Sequence, residues 1–177
     1  GDQWLTVPVK HSLGQKIFNI EINNNINWRK KHWQAIKQSY GKSEYFDVFS
    51  NELKSFYDND WTLLSKMNIE LTLLMMKMLN FETKVILSSD MQAQGSSSDL
   101  ILSLCKEVNG STYISGLGGK NYLIEKDFFK SGINIEYSAP NLPTTYPQNY
   151  PKLGYIDHLS AVDIVFNCGE TWKSYIK

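Results

Sequence analysis

Between residues 84 and 137 the chain alternates short apolar runs with amphipathic ones, and this limits its possible folds more than any other feature. Residues 84–88 read as a strand, 99–108 as a helix ended by Asn109-Gly110, and 112–115 as a second strand. A helix over 121–130, ended by Ser131-Gly132, and a third strand over 133–137 follow. That order predicts a parallel sheet with crossover helices.

The half before it has a different texture. Residues 28–40, 44–57 and 61–79 read as three helices, the second carrying Phe46, Phe49, Leu53 and Phe56 at spacings of three and four. Asn27, Ser43 and Asp60 stand where N-caps belong. Two strands are expected earlier, over 4–9, where Pro8 marks an edge or an end, and over 17–22, where apolar residues alternate. Four of the five prolines fall in residues 139–155, which read as an ordered loop without regular structure. Short helices over 158–166 and 170–176 close the chain. The fold class is therefore α/β, with a parallel or mixed sheet and crossover helices in the C-terminal half and a helical subregion around residues 28–80. One domain over residues 1–177 is expected at this length.

Composition removes several function classes. Basic and acidic residues balance at 18 each, so the electrostatic case for a nucleic-acid partner is missing. The one basic run, Arg29-Lys30-Lys31-His32, reads as the solvated start of a helix. The most apolar stretch, residues 63–79, is interrupted by Ser65, Lys66, Asn68, Glu70, Thr72 and Lys77. It reads as a core helix, so no membrane insertion is expected. Cys105 and Cys168 make neither a disulfide framework nor a CxxC motif, and His11 and His32 lack partners at ligand spacing. No metal site or cofactor is expected, and the chain reads as cytoplasmic.

The strongest local candidate for chemistry is the run from Tyr113 through Lys120. Gly116, Gly118 and Gly119 follow a predicted strand and precede a predicted helix. Glycines there let the backbone turn tightly and approach a ligand, and a helix start offers N–H groups to an anion. Lys120 adds a positive charge for a phosphate or carboxylate. The named fingerprints do not fit. A Walker loop needs glycine where Ile114 stands, and a dinucleotide loop needs it where Asn121 stands.

Ser88 and Ser89 end one predicted strand and Ser115 ends another. In a shared parallel sheet all three would lie on the carboxyl rim with Lys120, where α/β proteins bind ligands. Tyr146 and Gln148 flank Pro147 in a stiffened turn suited to a polar ligand. A further route pairs Cys168 with His158 for acyl transfer, with a helix start at Gly169-Glu170 lowering the thiol pKa. A plain turn, capping chemistry, a packed loop and a buried structural cysteine are the structural alternatives to these four readings.

An ordered set of segments resembles the WbqC-like family of bacterial proteins. It includes residues 4–9, the 28–40 helix with His32, Leu87-Ser88-Ser89, and residues 100–105. It continues with residues 113–123, Phe129, Gly132-Ile133, Tyr146-Pro147-Gln148, Leu159-Ser160, Asp163 and Phe166-Asn167. The resemblance implies that family members begin with a segment rich in His, Pro and Trp, and this sequence is expected to start after it. The resemblance implies a setting in O-antigen and other surface-polysaccharide clusters.

Two functions are open at this point. One is a transferase acting on a nucleotide-linked or otherwise activated small substrate, a phosphate-bearing one fitting the loop best. Ser88, Ser89, Ser115, Gly116, Gly118, Gly119, Lys120, Tyr146 and Gln148 would line its site. The other is a non-catalytic binding or interaction protein of the same pathway. Homo-oligomerisation is left open by both.

Overall fold

A computed structural model gives the fold and describes residues 2–11, 13–139 and 145–175. These divide into two compact units. One holds the described residues through Glu82 and from 145 onward, and the other runs from Thr83 to 139.

The first unit opens with a minimal antiparallel pair, β1 (Val9–Lys10) against β2 (Glu21–Ile22). The strand expected over 4–9 is corrected, since only Val9 joins a ladder. Pro8 has no N–H to offer one, and residues before it find no partner strand among the described residues. The strand expected over 17–22 shrinks to its last two residues. Asn19 and Ile20 donate to the carbonyls of Lys16 and Ile17, so Ile17–Asn19 is a 3₁₀ turn with Ile17 and Phe18 exposed. Ile22 is buried, and its N–H donates to Thr62 O at 2.9 Å.

Three helices follow: α1 (Trp28–Tyr40), α2 (Phe46–Asp58) and α3 (Leu64–Met78). Trp28, His32 and Ile36 bury one stripe of α1 at intervals of four. Phe46, Leu53 and Phe56 do the same for α2, while Phe49 is partly covered. α3 starts later than residue 61 because Trp61 is used elsewhere: its indole N–H donates to Phe56 O at 2.7 Å. None of the three N-termini has a side-chain cap. Ser43, placed to cap α2, sends its hydroxyl to Asn167 Oδ1 at 3.2 Å.

The second unit contributes α4 (Ser97–Glu107), β3 (Thr112–Gly116), α5 (Glu125–Lys130) and β4 (Asn134–Ser138). β3 and β4 are parallel, with Thr112 opposite Asn134 and Gly116 opposite Ser138. The crossover between them passes through a 3₁₀ turn at Leu117–Asn121 and then α5. Tyr113, Ser115, Ile135 and Tyr137 lie on the covered face, and the alternate residues are exposed. Leu123, Phe128 and Ile133 form the core beneath, with Ile101, Leu102 and Cys105 of α4 against it. Asn109 takes a positive φ, and Gly110 N–H reaches Cys105 O at 2.9 Å, which closes α4 as the sequence predicts.

The last helix, α6 (Ala161–Cys168), returns to the first unit, where α1, α2 and α3 pack on it. Every residue from Asp163 to Cys168 is buried, so α6 is the axis of that core. Its exit depends on Gly169 at φ +51°, where a Cβ would fall 2.3 Å from the Tyr45 ring. A 3₁₀ segment, Gly169–Tyr175, follows, and the Trp172 indole donates to Leu79 O at 2.9 Å. The irregular loop expected over 139–155 contains a 3₁₀ turn at Pro151–Leu153, and residues 140–144 of it lie outside the described residues.

The chain is thus mixed α/β with a parallel pair in its C-terminal half and a helical region ahead of it. Among the described residues no helix is long and apolar enough to cross a membrane.

Candidate ligand site

The parallel register places Ser115 beside Tyr137 and Gly116 beside Ser138, so the carboxyl ends of β3 and β4 share one rim. In α/β folds that end is the usual place for a ligand. The loop leaving β3 is not glycine-rich for one reason alone. A Cβ at Gly119 would stand 2.1 Å from Ser115 Oγ, so packing excludes a side chain there. A Cβ at Gly116 or Gly118 would meet nothing within 4 Å, and both residues are exposed. Packing does not account for the bareness of those two positions.

Ser115 is buried, and its hydroxyl donates to Gly116 O at 3.0 Å. Lys120 is exposed, and its ammonium sits 5.0 Å from the centre of the Tyr137 ring. Tyr137 donates its hydroxyl to Glu125 Oε1 at 2.8 Å. Burial first, then that bond, raise the Tyr137 pKa, so the phenol stays a donor. Lys120 has no carboxylate partner among the described residues, which leaves its charge available to an anion.

Two parts of the sequence reading change here. The helix after the loop begins at Glu125, not 121, and its first turn carries Glu125 and Asp127. Paired glycines favour a turn over a helix, so Leu117–Asn121 tightens into 3₁₀ geometry. The helix start is therefore not at the loop, and it carries acidic side chains. Residues 84–88 form no strand. Val85 and Ile86 are half exposed, no strand pairs with them, and Ser88–Asp90 is a 3₁₀ turn. Ser88 and Ser89 are exposed in the same unit as Lys120, with Ser89 Oγ 3.3 Å from Asp90 Oδ1.

Tyr146 and Gln148 belong to the other unit and are committed inside it. The Tyr146 hydroxyl donates to Asp163 Oδ2 at 2.7 Å, and Gln148 Nε2 donates to the same oxygen at 2.9 Å. Gln148 also exchanges two bonds with Ile156, donating to its carbonyl at 2.8 Å and accepting from its N–H at 2.9 Å. Asn167 Nδ2 lies 3.2 Å from Asp163 Oδ1. Tyr40 also lies against this carboxylate. Burial, then Asp163, push both phenols far above the ordinary tyrosine value. Asp163 has no basic partner among the described residues, so neutral donors hold its buried carboxylate. Sequence reasoning gave Asp163 no role of its own. The available signal was an acid inside the apolar run Ala161-Val162-Asp163-Ile164-Val165-Phe166, which predicts a buried group in need of donors.

The remaining features are structural. Cys168 is the last residue of α6, and the segment that starts after it is 3₁₀. Burial pushes its thiol up to about 11, with the Asp163 and Glu44 charges adding to it. His158 is exposed, with Asp157 as its neighbour at 3.6 Å. In the basic run only Lys30 and Lys31 are solvated. Arg29 stacks over Trp28, and His32 is buried with Nε2 3.1 Å from Thr6 O.

Comparison with known proteins adds two matches. The sequence model of the WbqC-like protein family matches residues 1–175. The chain is also 27% identical over 180 residues to the uncharacterized protein Rv1507c of Mycobacterium tuberculosis (strain ATCC 25618 / H37Rv). That alignment takes in 100% of this chain and 77% of that protein. No solved structure gives a significant match.

Proposed function

The chain belongs to the WbqC-like protein family, and from that premise we propose a transferase of bacterial surface-polysaccharide biosynthesis. Its substrate is a small, activated, anionic molecule, a nucleotide-linked one fitting the loop best. The observation that carries this reading is the pair of unobstructed glycines, Gly116 and Gly118, at the carboxyl ends of two parallel strands beside Lys120, which has no carboxylate partner among the described residues. Bare backbone there admits a phosphate closely, and Lys120 supplies charge once it leaves the Tyr137 ring. Gly119 and Ser115 hold the loop shape. Ser88 and Ser89 offer hydroxyls from the same unit. Tyr146 and Gln148 act by fixing residues 145–150 on α6, since Asp163 and Ile156 occupy their polar groups.

Calorimetric titration with nucleoside diphosphates and nucleotide sugars tests this. One class should bind, and Lys120→Ala should weaken it about 10-fold or more, as expected for a charged hydrogen bond of ~1.5–3 kcal/mol. Equal affinity in the variant removes Lys120 from the site. The burial and raised pKa of Cys168 leave that thiol a poor nucleophile, which weighs against acyl transfer through it and leaves binding without catalysis as the second reading.

A further inference from the structure

A groove of about 420 Å³ runs between α2 and α3 in the first unit, outside everything assigned above. It is open on its outer side, so a ligand lying in it keeps one face in water. The helices supply it by spacing. Glu52, Ser55, Phe56 and Asn59 follow one face of α2 and its exit, and Glu70, Leu74 and Lys77 follow one face of α3.

The lining is amphipathic. Phe56, Leu74 and the Trp61 ring are its apolar part. Trp61 packs on Phe56 with ring centres 5.0 Å apart, and its indole N–H is held by Phe56 O, so the ring has a fixed orientation. The rim is polar. Lys77 and Glu52 satisfy each other at 2.9 Å. Ser55, Asn59 and Glu70 make no side-chain hydrogen bond to another described residue. The charges in the groove sum to one excess carboxylate, that of Glu70, which disfavours an anion.

We propose that this groove binds a pyranose ring, neutral or amine-bearing. A sugar matches the two kinds of surface at once. Its axial C–H face packs on an ordered aromatic ring, and its hydroxyls donate to a carboxylate and an amide oxygen at the rim. A phosphate would meet Glu70 with no free cation. A purely apolar ligand would leave Ser55, Asn59 and Glu70 desolvated. The proposal is independent of Lys120, because it uses no residue of the second unit.

Saturation-transfer NMR on the full chain, with methyl glycosides of glucose, galactose, mannose and glucosamine, tests it. At least one should give saturable transfer, strongest at the ring C–H protons. Glu70→Gln and Asn59→Ala change exposed side chains without protein partners and should keep the thermal midpoint. Each should weaken that binding about 5-fold or more, as for one lost hydrogen bond. Lys120→Ala should leave it unchanged. No transfer with any glycoside overturns the proposal, as does binding that survives both groove variants or is displaced by inorganic phosphate.

Discussion

The two compact units treat their polar groups in opposite ways. In the unit built around α6, the polar side chains at the core are bonded to one another. Tyr146, Gln148 and Asn167 converge on Asp163, while Asn149 donates to Ser39 O at 2.9 Å and to Ser43. Tyr150 adds a bond to Gln38 O at 3.0 Å, so the 145–150 segment satisfies carbonyls at the end of α1. In the unit built on β3 and β4, the core is three apolar residues with neighbours, and apart from the buried Ser115 the candidate polar groups, Lys120, Ser88 and Ser89, remain exposed. A polar group already committed to the fold is poorly placed to serve a ligand. By that measure Lys120 and the bare glycines are candidates for function, and Tyr146 and Gln148 are candidates for stability.

The sharpest way to break that contrast is at Asp163. Asp163→Ala leaves several buried donors without an acceptor, at ~1–3 kcal/mol each, so a loss of about 3 kcal/mol or more in urea unfolding is expected. A loss under about 1 kcal/mol would mean the network is not structural. Phe128→Ala should cost about 3–5 kcal/mol, because Phe128 is fully buried in the small core. If the units unfold separately, hydrogen exchange should report that loss in residues 83–139 and leave α6 protected.

Alkaline pH gives an intermediate effect. Cys168 has its pKa raised from 9.0 to about 11 in the folded chain, so the unfolded chain loses this proton first. Between about pH 9 and 11 the folded state binds more protons, and stability falls as pH rises, by on the order of 2 kcal/mol. Tyr57, pushed up to about 12 by burial, extends the fall. Cys168→Ala should flatten the lower part of that slope, and an unchanged slope would contradict a buried neutral thiol.

The smallest effect separates two adjacent glycines. Gly119→Ala should destabilise by about 1–3 kcal/mol, as overpacking against Ser115 does. Gly118→Ala, with open space at its Cβ, should stay within about 0.5 kcal/mol of wild type. Equal melting temperatures for the two variants would remove the distinction between packing glycines and ligand glycines.

The helical half was legible because its spacing is regular. The 28–40 helix matches the structure, and Phe46, Leu53 and Phe56 are buried as their periodicity predicts. β3 and β4 were legible for a similar reason, being short runs bounded by Asn109-Gly110, the glycine loop and Ser131-Gly132. The failures lie where an apolar run has no partner strand. Residues 84–88 and 4–9 have strand-like composition, but a strand needs a ladder, and sequence does not say who supplies it. At the candidate site, Gly116 through Lys120 could be read locally. The role of Asp163 could not, because its donors come from 15 and 17 residues earlier in the chain and, with Tyr40, from the end of α1 far earlier still.

The most direct test of the central claim is an amide NMR titration of the isotope-labelled full chain with a nucleoside diphosphate and a nucleotide sugar. Shift changes that saturate and centre on residues 115–120, and that need about 10-fold more ligand or greater in Lys120→Ala while Gly118→Ala remains folded, are the predicted result. Saturating changes centred on residues 145–167, or none at either ligand, would contradict the assignment of the glycine loop as the ligand site.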